Sequence, residues 1–143
     1  MRLKIIRLLY LLLCLLGGVA TAAEYQFRHY DTNNGLSQNS VMSIVQDNMG
    51  FMWFGTNDGM NRFDGRSFKV YHKGNGANQL GSDRICVMYE APNHELWVGT
   101  DHGVYIYSPT TDSFCRFSTK TAAGESIERQ VNVITGDAQR VLS

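Results

Sequence analysis

The sequence predicts an all-β protein built from consecutive four-stranded antiparallel units, and three observations predict it. A motif recurs at a spacing of 44 residues, each copy alternates short apolar runs with Gly- and Asp-bearing turns, and nothing beyond residue 23 has a convincing helical period. The repeat can be written out residue by residue. Leu36, Val41, Trp53-Phe-Gly55-Thr56, Gly59 and Phe63 correspond to Leu80, Ile85, Trp97-Val-Gly99-Thr100, Gly103 and Tyr107. The run Phe68–Tyr71 recurs at 114–117, now 46 residues on because the turn before it is longer, and once earlier at 27–30. Residues 131–137 restate residues 41–47, and Ser143 falls where the next tryptophan is due.

Each element of a repeat follows from its residues. Residues 40–46, rich in Val, Met and Ile, read as a first strand that ends at the turn Asp47-Asn48-Met49-Gly50. Residues 51–56 are a second strand, apolar on both faces. Asn57-Asp58-Gly59 is a tight hairpin signal, repeated as Asp101-His102-Gly103. Residues 60–63 form a third strand, Asp64-Gly65 another turn, and residues 67–71 a fourth strand. Four strands in roughly 40 to 45 residues is the pattern of a β-propeller blade. A lone sheet with two apolar faces would expose one of them, so it must sit between neighbours. Trp53 and Trp97 then supply the packing between blades, and Gly55 and Gly99 the close backbone approach. These residues are read as structural.

The predicted fold is therefore all-β and an incomplete propeller, a partial domain over 24–143. It holds a leading strand at 25–30, full blades at 36–72 and 80–118, and a truncated blade at 131–143. Arrays of so few open-edged units are expected to fold poorly alone. Residues 1–23 are separate: Arg2, Lys4 and Arg7 precede an uncharged run from Leu8 to Ala23 that ends in small residues. This is the pattern of a signal peptide cleaved after Ala22 or Ala23, and it predicts a periplasmic chain. Leu13 is too bulky for a lipid-attachment box at Cys14. Cys86 falls on a first strand and Cys115 on the fourth strand of the same blade. Three strand spacings of about 4.8 Å separate them by about 14 Å, beyond the about 7 Å a disulfide can span. Both thiols are expected to be free and mostly buried.

Composition narrows the function classes. Lys plus Arg and Asp plus Glu are both 13, and no basic stripe invites nucleic acid. A glycosidase needs a facing carboxylate pair, but Asp47, Asp58, Asp64 and Asp101 occupy turn slots that the repeat itself explains. His29, His72, His94 and His102 are not at metal-ligand spacing. No catalytic, cofactor-binding or metal-binding residue is expected, no cofactor is implied, and ligand-binding residues are not assigned. The long polar connectors at 73–83 and 119–130 are the expected recognition surfaces.

The string from Gly35-Leu36-Ser-Gln-Asn-Ser-Val41 through Asp47-x-x-Gly50-x-x-Trp53-x-Gly-Thr-x-x-Gly59 to Phe63-Asp-Gly65 resembles the two-component-regulator propeller repeat. The second copy departs at residues 90–95, where the turn Asp and Gly are lost. The resemblance implies the N-terminal periplasmic sensor region of a hybrid histidine kinase. It implies two seven-bladed propellers, a β-sandwich, a membrane helix and a kinase in the parent, with a homodimer that responds to an oligosaccharide and controls transcription. The partners so implied are the remaining blades, the second subunit and the glycan ligand, with no nucleic-acid contact from this segment. It also implies that the leading strand seals the last blade. The alternative is a secreted propeller that binds without signalling.

Overall fold

The computed structural model describes residues 25–118, 129–136 and 141–142, with residues 3, 6 and 7 near the N-terminus. The signal-peptide expectation lies almost wholly outside the described residues, as does most of the 119–130 connector. No helix among the described residues is long and apolar enough to cross a membrane.

Two four-stranded antiparallel sheets form the body. The first blade is β1 (Val41–Gln46), β2 (Met52–Thr56), β3 (Gly59–Phe63) and β4 (Phe68–Tyr71), hydrogen-bonded in that order. The second is β5 (Ile85–Glu90), β6 (Leu96–Thr100), β7 (Gly103–Ser108) and β8 (Ser113–Phe117), also in order. The register repeats with the sequence: Trp53 pairs with Val45 and Arg62, and Trp97 with Tyr89 and Ile106. Even the irregularity repeats, as both first strands slip by a residue, between Val41 and Ser43 and between Ile85 and Val87. The third repeat begins with residues 131–134, followed by β9 (Thr135–Gly136) paired with β10 (Val141–Leu142).

The blades stack through their faces. Fully buried Trp53 and Met60 of the first blade meet Ile85, Met88, Leu96, Val98, Tyr105, Tyr107 and Phe114 of the second in one cluster with Leu80. Trp97 and Val104 on the far side of the second blade are covered by Val131 and Ile134. Gly55 and Gly99 mark these close approaches. A Cβ at Gly55 would lie 2.6 Å from Ile85 Cγ2, and one at Gly99 would lie 3.1 Å from Val131 Cγ1. Hydrogen bonds cross the seam as well: the Met88 amide donates to Ser43 Oγ (3.0 Å) and the Asn48 amide to Glu90 Oε1 (2.8 Å).

The turn acids have structural work. Asp47 Oδ1 accepts from the Met49 and Phe51 amides, and its Oδ2 accepts from the Trp53 indole at 2.7 Å, so one carboxylate shapes the turn and orients the tryptophan. The second repeat replaces both lost residues. His94 takes the left-handed backbone (φ 66°) that Gly50 takes in the first blade, and Glu95 accepts from the Trp97 indole at 3.2 Å. Thr56 and Thr100, fully buried, bind the Gly59 and Gly103 carbonyls across their hairpins.

Two expectations are modified. Both cysteines are free and on the strands expected, but Cys115 is exposed and Cys86 only half-buried. On β8, Phe114 turns to the core and its neighbour Cys115 therefore turns away from it. Cys86 sits in the first-strand irregularity, off the packed face. Residues 25–30 pair with no strand among the described residues; instead Tyr30 lays its ring against Phe63 and Phe68, 4.8 and 5.7 Å between centroids. A short 3₁₀ turn, Thr32–Asn34 capped by Asp31, leads from there into the first blade.

Candidate functional site

Antiparallel order places the β2–β3 hairpin, the end of β4 and the connector to β5 at one end of the blades. The β1–β2 and β3–β4 turns lie at the other. Of the two connectors expected to form recognition surfaces, residues 73–83 are described, and they tie the blades together. Lys73 bridges to Leu80, the Phe114 amide donates to the Asn78 carbonyl, and the Gly59 amide donates to the Asp83 carbonyl.

Beside this connector is a cavity of about 190 Å³ lined by Tyr71, His72, Asn78, Gln79, Leu80, Asp112, Ser113 and Phe114. Ligand pockets generally occupy about 300 to 1,000 Å³, so it is a notch for a small group rather than a cleft for an extended ligand. Aromatic Tyr71 and Phe114 pack edge to face at 5.4 Å in its wall, with amide and imidazole groups around them.

One wall of the notch is a charged cluster across the seam. Asp112, in the β7–β8 turn with φ 50°, accepts at Oδ1 from the hydroxyls of Tyr71 (2.6 Å) and Tyr107 (2.7 Å). Its Oδ2 pairs with Lys69. Arg62 donates to the Tyr107 hydroxyl (2.8 Å), lies 3.5 Å from Asp112, and sits over the Phe51 ring at 4.8 Å. Burial pushes the Asp112 carboxyl up, but the hydrogen bonds from Lys69, Tyr71 and Tyr107 outweigh it and hold the group at about 2. Burial, and then the carboxylate beside it, push the Tyr71 hydroxyl well above its ordinary range, and Tyr107 in the same direction. Both phenols therefore remain donors at any physiological pH. The cluster joins β3 and β4 of one blade to a turn of the next.

A second group was not legible in the sequence. Asp58 at the β2–β3 tip, His72 at the end of β4 and Asp83 on the connector bring their ligating atoms within 4.8 Å of one another. His72 Nδ1 is 3.3 Å from Asp83 Oδ1, which also accepts from the Lys73 amide at 2.7 Å. One imidazole and two carboxylates are a donor set for a divalent cation, but the group is wider than a formed site, whose ligand atoms lie about 2.0–2.2 Å from the ion. The spacing of these residues in sequence gives no hint of it; only the rule that hairpin tips and blade connectors share one end could have found them.

The architecture defines the class: successive propeller blades, packed face to face through a tryptophan and a glycine on each second strand. Comparison with known proteins agrees. Residues 35–58 match the family model of the two component regulator propeller. The chain is similar to the extracellular domain of a protein assigned as the hybrid two component system BT3049 of B. thetaiotaomicron, with 30% identity and a TM-score of 0.69 over 78% of this chain and 16% of that one. It is also similar to the extracellular domain of a second assigned hybrid system of that organism, BT4673, with 27% identity and a TM-score of 0.56 over 73% of this chain and 14% of that one. Among curated proteins, Histidine kinase P4 of Formosa agariphila is 46% identical over 52 residues, 36% of this chain and 4% of that protein. The chain thus spans a small part of each relative it matches. Its residues 35–58 match the two-component-regulator propeller repeat, and the chain resembles extracellular domains of proteins assigned as hybrid two-component systems.

Proposed function

We propose that this chain is the N-terminal part of an extracytoplasmic propeller sensor of a hybrid two-component system, which detects a glycan-derived oligosaccharide and controls transcription. The structural likeness to an extracellular sensor domain over 78% of the chain carries this reading. The positive start and uncharged run at residues 1–23 support export. The blades supply a rigid scaffold whose end carries the polar connector 73–83 and the hairpin tips, the places where such scaffolds bear their binding groups. Remaining blades, a second subunit and the oligosaccharide are the partners in this reading, and catalysis belongs to a kinase elsewhere in the parent.

The test is thermal-shift screening of the complete extracytoplasmic region against oligosaccharides of defined linkage, with transcript levels measured in cells that carry or lack the gene. A raised melting temperature with one glycan class, together with loss of that glycan's transcriptional response on deletion, is expected. No shift with any glycan and an unchanged response would refute the reading.

A further inference from the structure

The chain contains two Asn-Gly pairs, Asn34-Gly35 and Asn75-Gly76. An asparagine before glycine can cyclise on its own backbone, because glycine has no Cβ to shield the amide nitrogen that attacks. Both asparagines are exposed, so access to solvent does not separate them. Their hydrogen bonds do. Asn34 Oδ1 accepts from the Asp31 amide at 3.0 Å, which turns its carboxamide back towards the start of the 3₁₀ turn. The Gly35 amide donates to the Thr32 carbonyl at 3.2 Å, so nucleophile and electrophile are both held in that turn and apart.

Asn75 stands at the tip of a small loop closed by the Gly74 amide on the Leu80 carbonyl (2.9 Å). Its carboxamide has no hydrogen-bond partner among the described residues. Only the nucleophile is held, and by one side chain. The Gly76 amide donates to Gln79 Oε1 at 3.1 Å, and the Gln79 amide returns a bond to the Gly76 carbonyl at 3.3 Å. A carboxamide oxygen accepts this proton without being basic enough to remove it, so Gln79 keeps Gly76 protonated and engaged.

We infer that Asn75 is a site of spontaneous succinimide formation whose rate Gln79 restrains, and that Asn34 is protected. The Gly76 nitrogen loses its proton to hydroxide and bonds to Asn75 Cγ. The Cγ–Nδ2 bond breaks, and the side-chain nitrogen leaves as ammonia after taking a proton from water. Water then opens the imide at either carbonyl, giving aspartate or isoaspartate at position 75, with no oxidant or reductant needed. Either product adds a carboxylate to the connector that already carries Asp83. Isoaspartate also adds a methylene to the backbone of the loop whose Asn78 and Gln79 line the notch. This chemistry belongs to the chain itself and does not depend on what the parent senses.

The experiment incubates the complete gene product at mildly alkaline pH and follows both asparagines by peptide mass and fragmentation. Asn75 is expected to convert faster than Asn34 by about tenfold or more, since Asn34 reacts only after local opening of its turn. Gln79→Ala should speed conversion at 75 by about two- to tenfold, the weight of one hydrogen bond, and leave Asn34 unchanged. Gln79→Glu, which keeps an acceptor, should convert no faster than the unaltered protein. Equal rates at the two asparagines, or no conversion at Asn75, would overturn the inference. An unchanged rate in Gln79→Ala would overturn the role of Gln79. The comparison of positions 34 and 75 is made within one unaltered molecule, so it needs no variant to fold.

Discussion

The close packing of the blades at Gly55 gives the sharpest prediction. A methyl group at Gly55 would lie 2.6 Å from Ile85 Cγ2 and 3.0 Å from Ile85 Cβ. Carbon atoms pack best at about 3.5–4.0 Å, so Gly55→Ala overlaps its neighbour by roughly an ångström. Ile85 is fully buried and β-branched, so its side chain cannot rotate away without leaving its rotamer. The blades must separate, and overpacking of this kind costs about 1–3 kcal/mol. Ile85→Ala alone costs about 2–5 kcal/mol through the cavity it leaves. Because both changes act on one contact, the double variant should be less destabilised than the sum by about 0.5–3 kcal/mol. Hydrogen exchange of peptides spanning β2 and β5, in the complete gene product, measures the local opening free energy. A neutral Gly55→Ala, or strict additivity with Ile85→Ala, would refute face-to-face packing through Gly55.

Three further outcomes follow from the same seam. Ser43→Ala removes the acceptor of the Met88 amide and should lower the opening free energy of β5 by about 1–3 kcal/mol, measured by the same exchange experiment. Asp112 is held at about 2, below the roughly 3.9 of an unfolded aspartate. Its contribution is therefore complete above about pH 4 and lost as pH falls towards 2, and Asp112→Asn should flatten that part of an acid-unfolding curve. His94→Gly relieves a left-handed backbone worth about 1–2 kcal/mol, offset by about 0.4–1 kcal/mol of unfolded-chain entropy. A net gain of about 0.5 kcal/mol is expected in urea unfolding, and a loss would mean the imidazole, 3.5 Å from Glu90, contributes more than its backbone costs.

The blades were legible because their determinants are local and periodic. Trp53, Gly55 and Thr56 recur 44 residues on with the same pairing partners, so strand ends read from the turns fall within about a residue of those observed. What escaped the sequence lies where the repeat is broken or the contact is distant. Asp112 sits in the lengthened turn that shifts the register to 46, and its partners Arg62, Lys69 and Tyr71 are more than 40 residues away. His94 and Glu95 restore a turn and an indole partner with residue types that do not match the motif, so only the backbone angle and the hydrogen bond reveal them. The burial expected of Cys115 failed because strand membership fixes spacing, whereas orientation depends on which neighbour, here Phe114, takes the core side. Asp58, His72 and Asp83 are brought together by topology alone.

The central claim, that these blades begin an extracytoplasmic sensor, is tested most directly by the location of Cys115, which is exposed on β8. In cells with a permeabilised outer membrane and an intact inner membrane, a membrane-impermeant maleimide should label the peptide carrying Cys115. Labelling only after the inner membrane is broken would place the blades on the cytoplasmic side and contradict the account.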